Sequence, residues 1–414
     1  MPFHTRTHCR SCETALGPVF VDLGVQPSAN AYLNSSADIV REQCYPLLTR
    51  VCPSCFLVQV AGDVPADELF GDYAYFSSVS ESWLDHARRY CEMARARFGL
   101  TAKNLIVELA SNDGYLLKNF VAAGIPVLGI DPSYTVAAAA EKQGVPTLVE
   151  FFGPAVADRL AAEGRQADLI IGNNVLAHVP EPSAFVAGIA KLLKPGGTVN
   201  IEFPHLLKLI QNGEFDTIYH EHYSYLSLMT VELIFARHGL RIFDVEELPT
   251  HGGSLRIYAR HANTCSESDV SVALRKVRDS EAAASLSDLA TYQAFAQKTQ
   301  EIRREFLTFV GQEKQKGKRI CGYGAAAKGN TFLNFCGISS DDIALIADRS
   351  EHKQGKLAPG SHIPIVHPAD LIAARPDYVI ILPWNLRTEI SHQLQEIRSW
   401  GGQFVTAIPK TTIF

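Results

Sequence analysis

The chain has no excess of positive charge. Its 38 Lys and Arg stand against 44 Asp and Glu, a formal net charge of −6 over 414 residues. A general grip on nucleic acid or on anionic lipid needs a basic surface, so neither partner is expected. No apolar run reaches the roughly 20 residues that cross a bilayer, so no transmembrane helix is expected. The opening Met-Pro-Phe-His-Thr-Arg-Thr-His lacks the apolar core of a secretory signal. There is no short-period repeat and no low-complexity tract. The nine cysteines are odd in number, and Cys44, Cys91, Cys265, Cys321 and Cys336 show no pairing pattern. These absences predict a soluble cytoplasmic protein with reduced thiols. The 47% apolar and 20% charged content is ordinary for a core-forming protein, and the length allows two to three domains.

What is present begins with Cys9-Arg-Ser-Cys12 and Cys52-Pro-Ser-Cys55. Each pair sits on a tight turn that can aim two thiolates at one ion. Four thiolates make a closed tetrahedral zinc site with no open position, so the metal is structural. A pair of redox dithiols or disulfides is the alternative; the reducing compartment favours zinc. Residues 1–75 thus read as a zinc module whose own core is thin, with the metal supplying much of its folding energy.

From 81 to 98 an apolar-periodic, Arg-rich stretch predicts a linking helix. Beyond it, short apolar runs alternate with helical segments. Strands are predicted at 105–109, 127–130, 147–149, 168–171 and 198–203, the last after a Lys-Pro-Gly-Gly turn. This alternation means a mostly parallel, doubly wound sheet. Two later strands, 241–245 and 254–260, are joined through His251-Gly-Gly. Residues 267–317 are helical in pattern. A second, smaller α/β unit follows, with strands at 319–323, 343–347, 378–382 and 403–406. The predicted domains are 1–75, 76–265 and 266–414.

Ligands of such sheets bind beyond the carboxyl ends of the strands. There the middle domain carries Glu108-Leu-Ala-Ser-Asn-Asp-Gly114, in which Ala110, Asn112 and Gly114 form a turn that backbone can bring close to a ligand. Asp131 ends the second strand, where an acid can accept both ribose hydroxyls. Phe152 follows the third strand and can stack on adenine. Asn173 and Asn174 end the fourth. The G-x-G-x-x-G of a dinucleotide site is absent. The ordered set resembles the class I S-adenosylmethionine-dependent methyltransferases, whose first motif reads E/D-x-G-x-x-x-G; Ala110 stands here for the first glycine.

Tyr219-His-Glu-His-Tyr223 follows the fifth strand and should lie at the same end of the sheet. Five aromatic or ionisable residues in a row are poor core material. A metal-binding histidine pair is one reading, but no third ligand is evident. Beside a sulfonium donor, an imidazole that takes a proton near neutrality is the more useful reading. With the zinc knuckles and the segment around His178, the order of motifs resembles the sugar C-methyltransferases of deoxysugar pathways along the whole chain. The resemblance implies methylation at C-3 of a nucleotide-linked 4-keto-deoxysugar through an enolate. It assigns the base to His222. Glu221 would orient an imidazole or a sugar hydroxyl. Tyr219 and His178 would steady the keto oxygen, and Tyr73 would reach in from the zinc module. The alternatives are a helix-start hydrogen bond for His178 and packing for Tyr73.

In the last domain, the loop 322–330 (Gly-Tyr-Gly-Ala-Ala-Ala-Lys-Gly-Asn) follows a strand and opens a helix. Such a loop can cradle phosphates. Tyr323, Lys328 and Asn330, with Asp348, Arg349, Lys353 and Lys356 downstream, read as the grip on a nucleotide-diphosphate sugar. A short Gly-rich turn also occurs in inert α/β folds. The competing functions are a small-molecule O- or N-methyltransferase, an RNA or protein methyltransferase disfavoured by the charge, and a non-catalytic sugar-nucleotide binding protein. The nucleotide, the sugar, the stereochemistry and the oligomeric state, a monomer included, are left open by the sequence.

Overall fold

The computed structural model of the protein describes residues 3–64, 69, 77–79 and 81–414. Its centre is a seven-stranded sheet. The strand order is Leu240–Leu248, Ser254–His261, Leu193–Pro204, Ala167–Asn173, Ile106–Leu109, Val127–Ile130, Thr147–Leu148. Only Ser254–His261 runs against its neighbours. Ile106–Leu109 is buried along its whole length, as a strand covered on both faces must be. The chain leaves this strand toward one edge and returns to the other side at Ala167–Asn173, which opens a crevice at their carboxyl ends.

One local expectation fails. Lys194-Pro-Gly-Gly197 is no turn before a strand; it lies inside Leu193–Pro204 as a bulge, with the register shifting between Leu193 and Thr198. Gly197 fits because a Cβ there would sit 3.0–3.1 Å from the carbonyls of Ala167 and Asp168.

The N-terminal sheet has four antiparallel strands: Val19–Pro27, Cys44–Val51, Val58–Val60 and Ser224–Tyr225. The fourth comes from the middle of the chain, immediately after the Tyr-His-Glu-His-Tyr segment, and pairs Ser224 with Gln59 and Tyr225 with Val58. A strand lent across 160 residues of sequence therefore fixes the zinc module against the central domain. Buried Arg10 reinforces the seam. Its guanidinium donates to Asp63 and to the carbonyls of Val60, Gly62 and Pro180, and lies 4.7 Å from the centre of the Tyr223 ring.

The helical region divides into Val272–Ala283 and the long helix Leu289–Gln315, which Asp288 caps through the Ala290 N–H. The long helix does more than bridge. Phe295 stacks on Phe20 of the N-terminal sheet at 4.4 Å, and its far end packs Phe306 against Phe332 of the last domain. One apolar cluster thus joins the zinc module, the long helix and the C-terminal unit. That unit is a six-stranded sheet, ordered Ile365–Val366, Ile346–Ala347, Ile320–Tyr323, Tyr378–Ile381, Gln403–Thr406, Thr412–Ile413, parallel except for its last strand. Among the described residues no helix is long and apolar enough to cross a membrane.

Candidate functional site

The two knuckles are built alike. In each, the residue after the second cysteine takes a left-handed backbone, Glu13 at φ 59° and Phe56 at φ 57°. Each closes its turn by donating its N–H to the first cysteine's carbonyl, at 3.1 and 3.0 Å. The turns bring Cys9, Cys12, Cys52 and Cys55 together with all four sulfurs within 4.8 Å, unpaired as disulfides. Sulfur–sulfur separations of 3.4 to 3.6 Å are close to the roughly 3.8 Å edge of a tetrahedron with ~2.3 Å zinc–sulfur bonds. Backbone N–H groups of Ser11, Ser54 and Cys55 point at sulfur, as they do where thiolate charge needs support. The donor set fits zinc and leaves no place for a substrate.

The cofactor crevice starts where Ile106–Leu109 ends. Ala110, Asn112 and Gly114 have φ of 55°, 49° and 77°. The turn therefore needs left-handed backbone where the first glycine of the motif would stand, and Ala110 accepts it at a cost of about 1–2 kcal/mol. Gly114 sits 3.1–3.2 Å, measured from its would-be Cβ, from Val145 and Ala140, so the following helix closes tightly on the sheet. Asp131 accepts N–H bonds from Asn112 at 3.0 Å and Ser133 at 2.9 Å, tying the turn to the second strand's end. Burial raises its pKa against those two bonds. Asn112 and Asp113 accept the N–H groups of Ser77 and Ser78. Oε2 of Glu108 and Oδ1 of Asn173 are buried with no protein partner. Unsatisfied buried acceptors at a strand end are what a bound, donor-rich ligand would complete. Phe152, read as the adenine platform, turns its ring edge-on to Phe185 at 5.3 Å, while Phe151 is 66% exposed.

The Tyr-His-Glu-His-Tyr segment is buried, contrary to its polar look. Its residues are divided between two neighbours. His220 approaches the Tyr45 carbonyl at 3.3 Å and Tyr223 packs on Arg10, both toward the zinc module. Tyr219 and His222 face the crevice. The Nδ1–H of His222 donates to the Thr217 carbonyl at 2.9 Å, which leaves Nε2 as the basic atom, 2.8 Å from the Tyr219 hydroxyl. His178 meets His222 edge-on at 4.5 Å. Burial, then the neighbouring His178, holds the His222 pKa well below the ordinary 6.5, and burial holds His178 at about 4. Both imidazoles are neutral at pH 7. The Glu221 backbone hydrogen-bonds His178, but its carboxylate has other contacts. Its Oε1 accepts from Asn30 of the zinc module, and its Oε2 is buried without a partner, so it stands ready for a hydroxyl rather than for an imidazole. Tyr73 lies outside the described residues.

The Gly-rich loop meets the same crevice. Lys328 donates to Asn385 at 3.0 Å, lies over the Trp384 ring, and its charge is felt at His222 and His251. The other residues read as the phosphate grip are differently placed. Asp348 accepts the N–H groups of Ala325 and Ser350, and Lys353 donates to the Ala325 carbonyl. Those two hold the loop. Asn330 donates to the Ala29 carbonyl of the zinc module, and Tyr323 is buried in its strand. Lys356 is half-buried and Arg349 is exposed.

Several residues of the crevice escape a reading by motif. Trp83 stacks between His86, at 4.9 Å, and Tyr115, at 6.0 Å. Buried Glu202 takes hydrogen bonds from His86, Arg256 and Thr250. Asp216 accepts from the Trp384 indole at 2.8 Å. Burial pushes Asp216 to about 6 and Glu214 to about 7. The signal for Glu202 was available: Asn200 and Glu202 are two polar positions on one face of an otherwise apolar central strand.

Comparison with known proteins now separates the possibilities. Residues 9–70 match a zinc binding domain family, 83–245 a methyltransferase domain family, and 249–409 the C-methyltransferase C-terminal domain family. The C-methyltransferase NovU of Streptomyces niveus is 35% identical over 405 residues, covering 98% of this chain and 96% of its own. The chain belongs to the C-methyltransferase family. Its seven-stranded sheet is the class I methyltransferase sheet, and the enzyme is an S-adenosylmethionine-dependent C-methyltransferase. Other likenesses are narrower. The ubiquinone biosynthesis O-methyltransferase of Caulobacter vibrioides is 31% identical over 156 residues, 30% of this C-methyltransferase and 59% of that protein. The structure of magnesium protoporphyrin IX methyltransferase from Synechocystis PCC 6803 with bound SAM aligns at a TM-score of 0.33 with 18% identity, over 42% of this chain and 78% of its own.

Proposed function

We propose that this C-methyltransferase methylates C-3 of a nucleotide-linked 4-keto-deoxysugar. The observation that carries the reading is the state of His222: a neutral imidazole, its tautomer set by the Thr217 carbonyl, its basic Nε2 turned to the crevice. Carbon methylation needs a carbon nucleophile, and a proton next to a ketone is acidic enough for such a base to remove. S-adenosylmethionine, when bound, supplies an electrophilic methyl group whose bond pair leaves on sulfur. The chain's residues do the rest. His222 Nε2 takes the C-3 proton, and the C–H pair passes into the enolate. The Tyr219 hydroxyl yields its place on Nε2 and donates to the keto oxygen, with His178 beside it. Glu221 holds a sugar hydroxyl with its unpartnered oxygen.

Glu108, Ala110, Asn112, Gly114, Asp131, Asn173 and Asn174 form the cofactor crevice in this reading, and the Asp131 carboxylate takes the ribose hydroxyls on its remaining lone pairs. Lys328 meets the sugar-nucleotide's negative charge, since its ammonium is the cation of the Gly-rich loop that reaches the crevice. The zinc module spans 1–75, the cofactor domain 76–265, and the bridge with the sugar-nucleotide domain 266–414. The reaction takes place in the cytoplasm. The test is incubation with S-adenosylmethionine and a panel of 4-keto-deoxysugar nucleotides, read by mass spectrometry. A product heavier by one methyl on carbon is expected. Methyl transfer to oxygen or nitrogen, or none across the panel, overturns the reading.

A further inference from the structure

The hairpin between Leu240–Leu248 and Ser254–His261 ends at the carboxyl side of the sheet, over the crevice. A tip of this kind needs only to reverse the chain. This one is held at Thr250, Gly252 and Gly253. Thr250 donates to Glu202 at 3.1 Å. The Gly253 carbonyl accepts the His205 N–H at 2.9 Å. Gly252 has φ 98° and lies wedged between Glu214 and Trp384, which a Cβ would approach at 2.5 and 2.6 Å.

Between these anchors His251 is forced into left-handed backbone at φ 57°. Its Nε2 is 3.1 Å from the Asn174 amide nitrogen, and Asn174 is itself left-handed at φ 53°. Two strained non-glycine residues thus meet through their side chains. Such strain costs on the order of 1–3 kcal/mol each and persists only where the surroundings over-determine it. The Asn174 amide donates to Nε2, so the ring proton sits on Nδ1. Nδ1 has no protein partner among the described residues. The ring meets Trp83 edge-on at 5.8 Å and shares the crevice with His178, His222 and Lys328. A merely structural histidine would use both nitrogens or present its ring to the core. This one is oriented, largely buried, and has a free donor among the described residues.

We propose that His251 is a further catalytic residue, whose Nδ1–H donates a hydrogen bond to the substrate oxygen that gathers charge as the neighbouring carbon loses its proton. The inference rests on the keto-sugar reading given above. The carbon's proton goes to His222 Nε2, the C–H pair becomes the enolate C=C bond as the carbonyl π pair moves to oxygen, and His251 keeps its own proton throughout. When the methyl group is taken, the C=C pair forms the new C–C bond, the oxygen pair re-forms the carbonyl, and the methyl–sulfur bond pair leaves on sulfur. An imidazole held neutral is the right donor here, because an imidazolium beside Lys328 would be costly and would surrender its proton. Burial holds His251 at about 4, in keeping with that state.

The test is His251→Gly, which suits a left-handed backbone and leaves a ring-sized gap. A substrate on which the wild-type enzyme transfers methyl to carbon is used. The expected result is a kcat lower by about 10²–10³-fold, the range for loss of one oxyanion donor. Dissociation constants for S-adenosylmethionine and for the sugar nucleotide should stay within about threefold, and added imidazole should restore rate where ammonium chloride does not. Asn174→Gly, which also suits its backbone, should lower kcat by a smaller factor by letting the ring turn. A His251→Gly enzyme with wild-type kcat, or one whose lost rate is matched by lost cofactor affinity and not rescued by imidazole, overturns the inference alone. A wild-type enzyme inactive on every keto sugar overturns the underlying reading and this inference with it.

Discussion

At the scale of single residues, the crevice and its seam with the zinc module keep imidazoles neutral. His178, His220 and His251 are each lowered to about 4, in every case first by burial. A depressed histidine pKa means that the folded protein refuses the proton that an unfolded chain would accept near 6.5. Between about pH 6.5 and 4 these rings therefore stay uncharged in the native state. Ring-proton chemical shifts followed by NMR should show no titration of them from pH 8 down to pH 5.5. A midpoint near 6.5 for any of the three would contradict the geometry that buries it. Asp131 is a second residue-scale case. Its carboxylate holds the backbone of Asn112 and Ser133 and, in the proposed function, the ribose. Charge-assisted bonds contribute about 1.5–3 kcal/mol each, so Asp131→Ala should weaken S-adenosylmethionine binding by at least about tenfold in calorimetry. The structure adds that the turn itself should loosen, visible as faster amide exchange at Asn112.

Single residues also show what a sequence can and cannot reveal. Ala110 was legible as the glycine position of a motif; its left-handed φ explains why a small residue must stand there. Tyr219 and His222 stood out because ionisable residues in a row are rare, and the structure brings their side chains together. His251 was read only as the joint of a hairpin, since nothing local distinguishes a turn histidine from one aimed at a substrate. Glu214, Asp216 and Trp384 were invisible for a related reason. Each is unremarked in its own segment, and only docking of the last domain brings the indole to the Asp216 carboxylate. Asp348 and Lys353 have contacts that their charges did not announce: both bond the backbone of the Gly-rich loop.

At the scale of elements, periodicity and turn signals were informative. The alternation of apolar runs and helices gave the parallel sheet strand by strand, and the helix Glu81–Phe98 stands where its pattern placed it. The bulge at Lys194–Gly197 was not legible, because Pro-Gly-Gly reads as a turn unless the neighbouring strand continues past it. The paired knuckles are the clearest element-scale statement. Their matching left-handed residues and shared sulfur cluster make one zinc per chain the expected result of elemental analysis. Cys55→Ser should lose the metal and unfold the module, since metal binding and folding are one equilibrium there. A Cys55→Ser protein with full zinc content and unchanged melting would contradict the site.

At the scale of the whole molecule, the three units are one construction around one crevice. The zinc module borrows the strand Ser224–Tyr225 from the segment that carries His222, and it shares a core with the long helix and the last domain. None of this was legible beforehand, because partners separated by hundreds of residues leave no periodic trace. The consequence is a test of coupling. Phe295→Ala removes the ring that Phe20 stacks on, and should cost about 3–5 kcal/mol, lowering the stability of the zinc module and the C-terminal unit together. Lys328→Ala probes the same convergence from the other side: the Michaelis constant for the sugar nucleotide should rise well above that for S-adenosylmethionine, and equal changes in both would remove Lys328 from the substrate's charge.

The proposed function rests on a carbon acid being deprotonated by the imidazole that Thr217 orients. The most direct measurement is exchange of the C-3 hydrogen of the keto-sugar nucleotide with deuterium, compared between the wild-type enzyme and His222→Asn. General-base loss costs about 10²–10⁴-fold, so the wild type should exchange C-3 and the variant should neither exchange nor transfer methyl, although both bind the sugar nucleotide alike. Exchange by His222→Asn at the wild-type rate would contradict the account.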